Sequence, residues 1–121
     1  MKAELVAFLV LYLTSQLALA QKFTSADEMA TYQDEVFQRE LNLNEQQMEV
    51  VSSINLKYAQ KQMNLMKQEG SMLGKMGDMK KMAKAKNEEL EKNLTKEQFN
   101  KYEKEVAPAL RKEIRNRMRS Q

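Results

Sequence analysis

Leu43-Asn44-Glu45-Gln46-Gln47-Met48 and Leu94-Thr95-Lys96-Glu97-Gln98-Phe99 are two versions of one hexapeptide, fifty-one residues apart. Each reads as a helix start. Asn44 and Thr95 are N-caps, because their side-chain oxygens accept from a free amide in the first turn. Gln47 and Gln98 stand three residues further on, where a side-chain carbonyl reaches back to the cap amide to close a capping box. Leu43 and Leu94 precede the caps and pair with Met48 and Phe99 as hydrophobic staples. Leu43, Asn44, Gln47, Leu94, Thr95 and Gln98 are therefore expected to form two helix junctions.

Outward from these junctions the pattern stays helical. Ser25-x-x-Glu28 is a third capping box, followed by Met29, Tyr32, Val36 and Phe37 at helical spacing towards Leu41, with Asn42 as the stop. A second helix after Asn44 carries Val51, Ile54, Tyr58 and Leu65 and runs to about Gln68. All three glycines, Gly70, Gly74 and Gly77, lie close together, so the chain turns within residues 69–77. A loop across Gly70 to Gly77 leaves a short third helix. A tight turn at Gly70, capped by Ser71, gives two helices of similar length. It also keeps Met72, Met76, Met79, Ala83 and Leu90 on one stripe, and is preferred. The antiparallel hairpin that results brings both hexapeptides to the same end. A fourth helix carries Phe99, Tyr102, Val106, Leu110, Ile114 and Met118, with a kink expected at Pro108, whose ring crowds the carbonyl of Lys104. The expected fold is all-α: four helices forming an elongated, bent hairpin.

Residues 1–20 read as a cleavable signal peptide. Lys2 begins it, Leu5 to Leu13 is apolar, and Ala18-Leu19-Ala20 has the small-x-small form of a cleavage site. Residues 21–121 are then a single helical domain without cysteine, held by packing alone.

The Leu-Thr-x-x-Gln pattern is complete at Leu94 to Gln98 and has Asn for Thr at Leu43 to Gln47. Used twice in a small, charge-rich helical chain behind a leader, it resembles the Spy/CpxP family of bacterial periplasmic proteins, over roughly Ser25 to Arg119. The resemblance implies a periplasmic, cradle-shaped homodimer with ATP-independent chaperone or envelope-stress activity, whose partners are unfolded protein clients. Relatives of similar architecture bind or sense metals.

Composition bounds the chemistry. The 121 residues include no His and no Cys, which removes the commonest general base, the thiolate nucleophile and the usual zinc ligands. No serine has a recognisable base partner, and no phosphate loop is present, so neither an enzyme nor a cofactor is expected. The net charge of +3 hides a gradient: seven acids against two bases from Gln21 to Val50, nine acids against seventeen bases from Val51 onward. Methionine is the outlier, with Met63, Met66, Met72, Met76, Met79 and Met82 beside the turn. Met63, Met66, Met72 and Met82, with Lys80 and Lys81, are candidates for an adaptable client-binding surface; Met76 and Met79 are expected mainly to fill the core. In the rival reading, Met76, Met79 and Met82 hold a soft ion such as Cu(I) or Ag(I). The basic tail from Arg111 to Arg119 suits an anionic membrane or the domain of a membrane stress sensor, the third reading; nucleic acid is not expected. Leu43, Val51, Leu94, Phe99 and Tyr102 offer more apolar stripe than a thin hairpin buries, which argues for a homodimer.

Overall fold

Helix accounts for nearly all of residues 22–119, the span that a computed structural model of the chain describes, and no strand occurs among them. The expected signal peptide lies outside the described residues. Helix α1 is Ala26–Leu41, α2 is Glu45–Lys67 and α3 is Met72–Asn93. Helix α4, residues 96–119, joins an α-helical start, Lys96–Lys101, to a π-helical stretch, Tyr102–Val106, and a second α-helical part, Ala107–Arg119. The fold is all-α, as the hydrophobic periodicity requires.

Local chemistry explains the boundaries. Ser25 Oγ accepts from the Glu28 amide at 3.1 Å, but the Glu28 carboxylate accepts from the Thr24 amide at 2.8 Å, one residue earlier than a capping box places it. That backbone bond holds the Glu28 carboxyl below its usual range. Asn42 closes α1 in the left-handed conformation, φ 51° and ψ 57°, which asparagine tolerates, and its amide reaches Gln38 O at 3.2 Å. The hairpin turn is the tight one. Gly70 sits at φ 138°, a conformation that demands glycine, and Ser71 Oγ caps α3 by accepting from the Gly74 amide at 3.2 Å. Helices α2 and α3 have 23 and 22 residues, so the near-equal lengths expected of a tight turn are met.

Pro108 acts before its own position. Instead of a simple kink, α4 widens over Tyr102–Val106, and the Ala107 amide bonds to Tyr102 O, five residues back. A widened turn eases the carbonyl that a proline ring would otherwise strike.

Helix α1 packs on α2, α2 on α3, and α4 lies against α1 and the end of α3. Phe37, Val51, Leu90 and Val106 are all but inaccessible to solvent, and each comes from a different helix. Their burial contributes about 1.5–3 kcal/mol apiece. A second cluster, Phe23, Met29, Ala30, Ala59 and Ile114, forms without any residue of α3. Two expectations about burial fail on this geometry. Of the stripe Met72, Met76, Met79, Ala83 and Leu90, only Leu90 is buried, because the second cluster is closed by α1, α2 and α4. The apolar surplus invoked for a homodimer is consumed within one chain: Leu43, Val51, Leu94 and Tyr102 are buried and Phe99 is half-buried.

Polar ties do for α3 what apolar packing does elsewhere. Glu89 accepts from the Tyr58 hydroxyl and from Lys57 Nζ, the latter at 2.6 Å, which lowers its carboxyl below the usual range. Tyr102 donates to Asn87 Oδ1 at 2.9 Å, and Lys86 Nζ donates to Gln33 Oε1 at 3.2 Å. On α1, Asp34 accepts from Ser52 at 2.7 Å and from the fully buried Asn55 at 2.8 Å.

Burial pushes the Lys86 ammonium down from 10.5 to about 8, against the opposing pull of Asp34. Burial, reinforced at Tyr58 by the bond to Glu89, pushes the Tyr58 and Tyr102 hydroxyls up from 10.0 to about 12. The unfolded chain holds the Lys86 proton more tightly, so stability should rise as pH climbs from about 8. Above about 10 the unfolded phenols ionise first and stability should fall. Urea unfolding across this range should show a maximum near pH 9–10, and Lys86→Met should flatten only the rising limb. Separately, Gly77 has open space where a Cβ would stand, and at Gly74 the nearest neighbour is Ser71 Oγ at 3.4 Å. Gly74→Ala and Gly77→Ala should each stabilise the protein by about 0.5–1 kcal/mol in the same assay.

Candidate functional site

The two hexapeptides meet. Both capping boxes form: Asn44 Oδ1 accepts from the Gln47 amide at 2.8 Å and Thr95 Oγ1 from the Gln98 amide at 3.1 Å, while each glutamine carbonyl accepts from its own cap amide. The side chains of Gln47 and Gln98 then bond to each other. Gln47 Nε2 donates to Gln98 Oε1 at 2.7 Å, and Gln98 Nε2 returns a bond to Gln47 Oε1 at 3.3 Å. The remaining amide hydrogens cross over. Gln47 donates to Asn93 O, the end of α3, and Gln98 to Leu41 O, the end of α1, both at 3.3 Å. Each glutamine thus starts its own helix, finishes another, and uses both donors and both acceptors. A glutamate would cap as well but could not donate. This site is architectural, and it holds the base of the hairpin.

The opposite end of the hairpin carries the methionines. Met72, Leu73 and Met76 are 61%, 82% and 49% exposed, and they adjoin on the first two turns of α3. Exposed Lys80, Lys81 and Lys84 follow on the same helix, and exposed Lys67 ends α2. The other candidates are less available. Met63 is half-buried against the second cluster and Met82 against the first, while Met66 and Met79 are half-buried. Met76 therefore exchanges roles with Met82: it is presented to solvent, and Met82 is drawn inward beside Ala85 because the base of α3 is where the core lies. Leu73, absent from the sequence-level candidates, is the most exposed of the large apolar residues named here. Its position one residue off the methionine stripe is the signal that it faces away from α2.

The soft-ion arrangement is divided by the same asymmetry, with Met76 exposed and Met82 packed on the core. Among the described residues, no group of three or more Asp, Glu, His or Cys is placed to hold a metal ion. A shallow groove of about 530 Å³ between α2 and α3 is lined by residues including Val50, Lys57, Glu89 and Lys92, and Lys57 and Glu89 pair across it.

One side chain in the basic tail is not a solvated cation. The Arg117 guanidinium is buried between two rings, 4.4 Å from the centroid of Phe23 and 4.3 Å from that of Tyr32, and its Nε donates to Glu113 Oε1 at 2.9 Å. It clasps the end of α4 to the start of α1. Burial, and then the nearby Glu113 charge, raise the Tyr32 hydroxyl above its usual range.

Among the described residues these features define a four-helix arrangement whose duplicated capping motifs lock into one another and whose hairpin end is apolar and basic. The chain belongs to the family described as a domain of unknown function, DUF4890, whose model matches residues 16–102, a span holding both motifs and the exposed methionines. No curated protein and no solved structure matches the chain.

Gln98→Glu keeps the cap and deletes two donors, bringing a carboxylate against Gln47 Oε1 and the Leu41 carbonyl. It should destabilise by about 2–3 kcal/mol at pH 7, more than the roughly 1 kcal/mol expected for Thr95→Ala. Chemical denaturation should also show partial recovery near pH 4, where a protonated glutamate can donate again.

Proposed function

We propose that the protein is an ATP-independent chaperone that holds unfolded or aggregation-prone chains, acting in the periplasm as part of envelope-stress protection. The observation that carries this reading is the adjoining exposure of Met72, Leu73 and Met76. Side chains of this size are ordinarily covered, and three together on a lysine-bearing helix form a contact surface. Methionine is flexible and polarizable, so such a surface adapts to clients of differing shape. The lysines attract acidic segments first, and apolar contact holds them afterwards. The Leu-Thr-x-x-Gln motif at Leu94 to Gln98, its Asn-bearing copy at Leu43 to Gln47, and their likeness to the Spy/CpxP family support the same reading. The rigid base and the apolar end are separate, so binding leaves the glutamine junction undisturbed.

The test is an aggregation assay with a reduced, unfolding client and no nucleotide. Replacing Met72, Leu73 and Met76 together with Gln should lower protection several-fold. Stability should change by less than about 1 kcal/mol, since these side chains are largely in water already. Protection equal to the parent's would refute the surface assigned here.

A further inference from the structure

Two of the three exposed apolar side chains at the hairpin end are methionines. Met72 and Met76 stand in solvent one helical turn apart, while Met29 is completely buried and Met48, Met63, Met82 and Met118 pack against the two clusters. The chain has no cysteine, so no thiol competes for an oxidant. Oxidation of methionine follows exposure and turns an apolar side chain into a polar one. We infer that Met72 and Met76 form a reversible oxidation site that converts the hairpin end from apolar to polar.

The chemistry is balanced with a peroxide as the oxidant. The thioether sulfur attacks one peroxide oxygen, a sulfur–oxygen bond forms and the oxygen–oxygen bond breaks. Sulfur loses two electrons, and the departing hydroxide takes up the proton from the transferred oxygen to leave as water. A dithiol reductant reverses the step through a methionine sulfoxide reductase: sulfoxide returns to thioether, the dithiol becomes a disulfide, and water is released. Leu73, between the two methionines, cannot be oxidised in this way, so part of the surface stays apolar and the change is graded.

The fold tolerates this modification at these positions. Neither side chain belongs to a core cluster, and neither takes part in the glutamine junction or the Arg117 clasp. Oxidation at Met29 would instead place a polar sulfoxide in a closed apolar cluster and unfold the protein. The gradient of exposure therefore separates a regulatory modification from a damaging one.

The proposal deepens the chaperone reading and rests on it for its consequence, while the site itself is measured independently. The full chain is treated with dilute hydrogen peroxide, and peptide mass spectrometry follows sulfoxide at each methionine. Met72 and Met76 should convert first, at least about fivefold faster than Met29 or Met82. Helical circular dichroism should be unchanged at that stage, and binding of an apolar fluorescent dye should fall and return after reductase treatment. Client protection should follow the dye. In the variant carrying Met72→Leu and Met76→Leu, dye binding and protection should be the same before and after peroxide, whatever their level before treatment. Conversion of other methionines ahead of these two, or dye binding that ignores their oxidation, overturns the inference. A parent that oxidises as described but never protects clients refutes the chaperone reading and leaves the oxidation site standing.

Discussion

The fold depends on one reciprocal hydrogen-bonded pair. Gln47 and Gln98 are far apart in sequence, yet each completes the other's bonding and closes the helix end that precedes the other's motif. A neutral hydrogen bond contributes only about 1 kcal/mol net, so the energy of the pair is modest. Its force lies in coupling. A helix end has free carbonyls that want donors, and here two such ends are satisfied only if two other helix starts are in place. Breaking one member leaves partners in both repeats unsatisfied, which is why the junction behaves as a unit.

With the base locked, the two cores divide the work. The first takes one nearly inaccessible residue from each helix: Phe37, Val51, Leu90 and Val106. The second excludes α3, which is left with α2 alone along its first turns. Exposure of Met72, Leu73 and Met76 is therefore a topological result: three helices close the second core and the fourth runs past it. The two interior glycines of the same segment add backbone entropy to a region already short of packing. A binding surface at this end is adaptable because it is the part of the molecule least needed for stability.

Much of this was legible in the residues. The caps at Ser25, Asn44, Ser71 and Thr95, the stop at Asn42 and the turn at Gly70 are local devices, and local devices are written in adjacent letters. The mutual bonding of Gln47 and Gln98 was not, although both read as capping-box partners of Asn44 and Thr95, because a capping box uses only the carbonyl and says nothing of the amide. Arg117 was hidden among exposed cations of the tail; only the approach of Phe23 and Tyr32 distinguishes it. The third helix was misread for the same kind of reason. A stripe at spacings of three and four shows which residues share a face, but not whether another helix covers it. Lys86, desolvated beside Gln33 and Phe37, belongs with these: the neighbours that cover it lie on α1, remote in sequence. The all-α class followed from the caps and the hydrophobic spacing, and the family match describes a domain of unknown function.

The crossed bonding of the two motifs has a bearing on biosynthesis. A chain is made from its N-terminus, and while only the first three helices exist Gln47 has no amide to pair with and Val51 and Leu90 lack the cover of Val106. The segment that carries α4 thus decides when the helices before it become native, since one residue in it, Gln98, supplies the final donor for the end of α1. Until then the hairpin is a partly open, apolar structure of the sort that the finished molecule is proposed to protect.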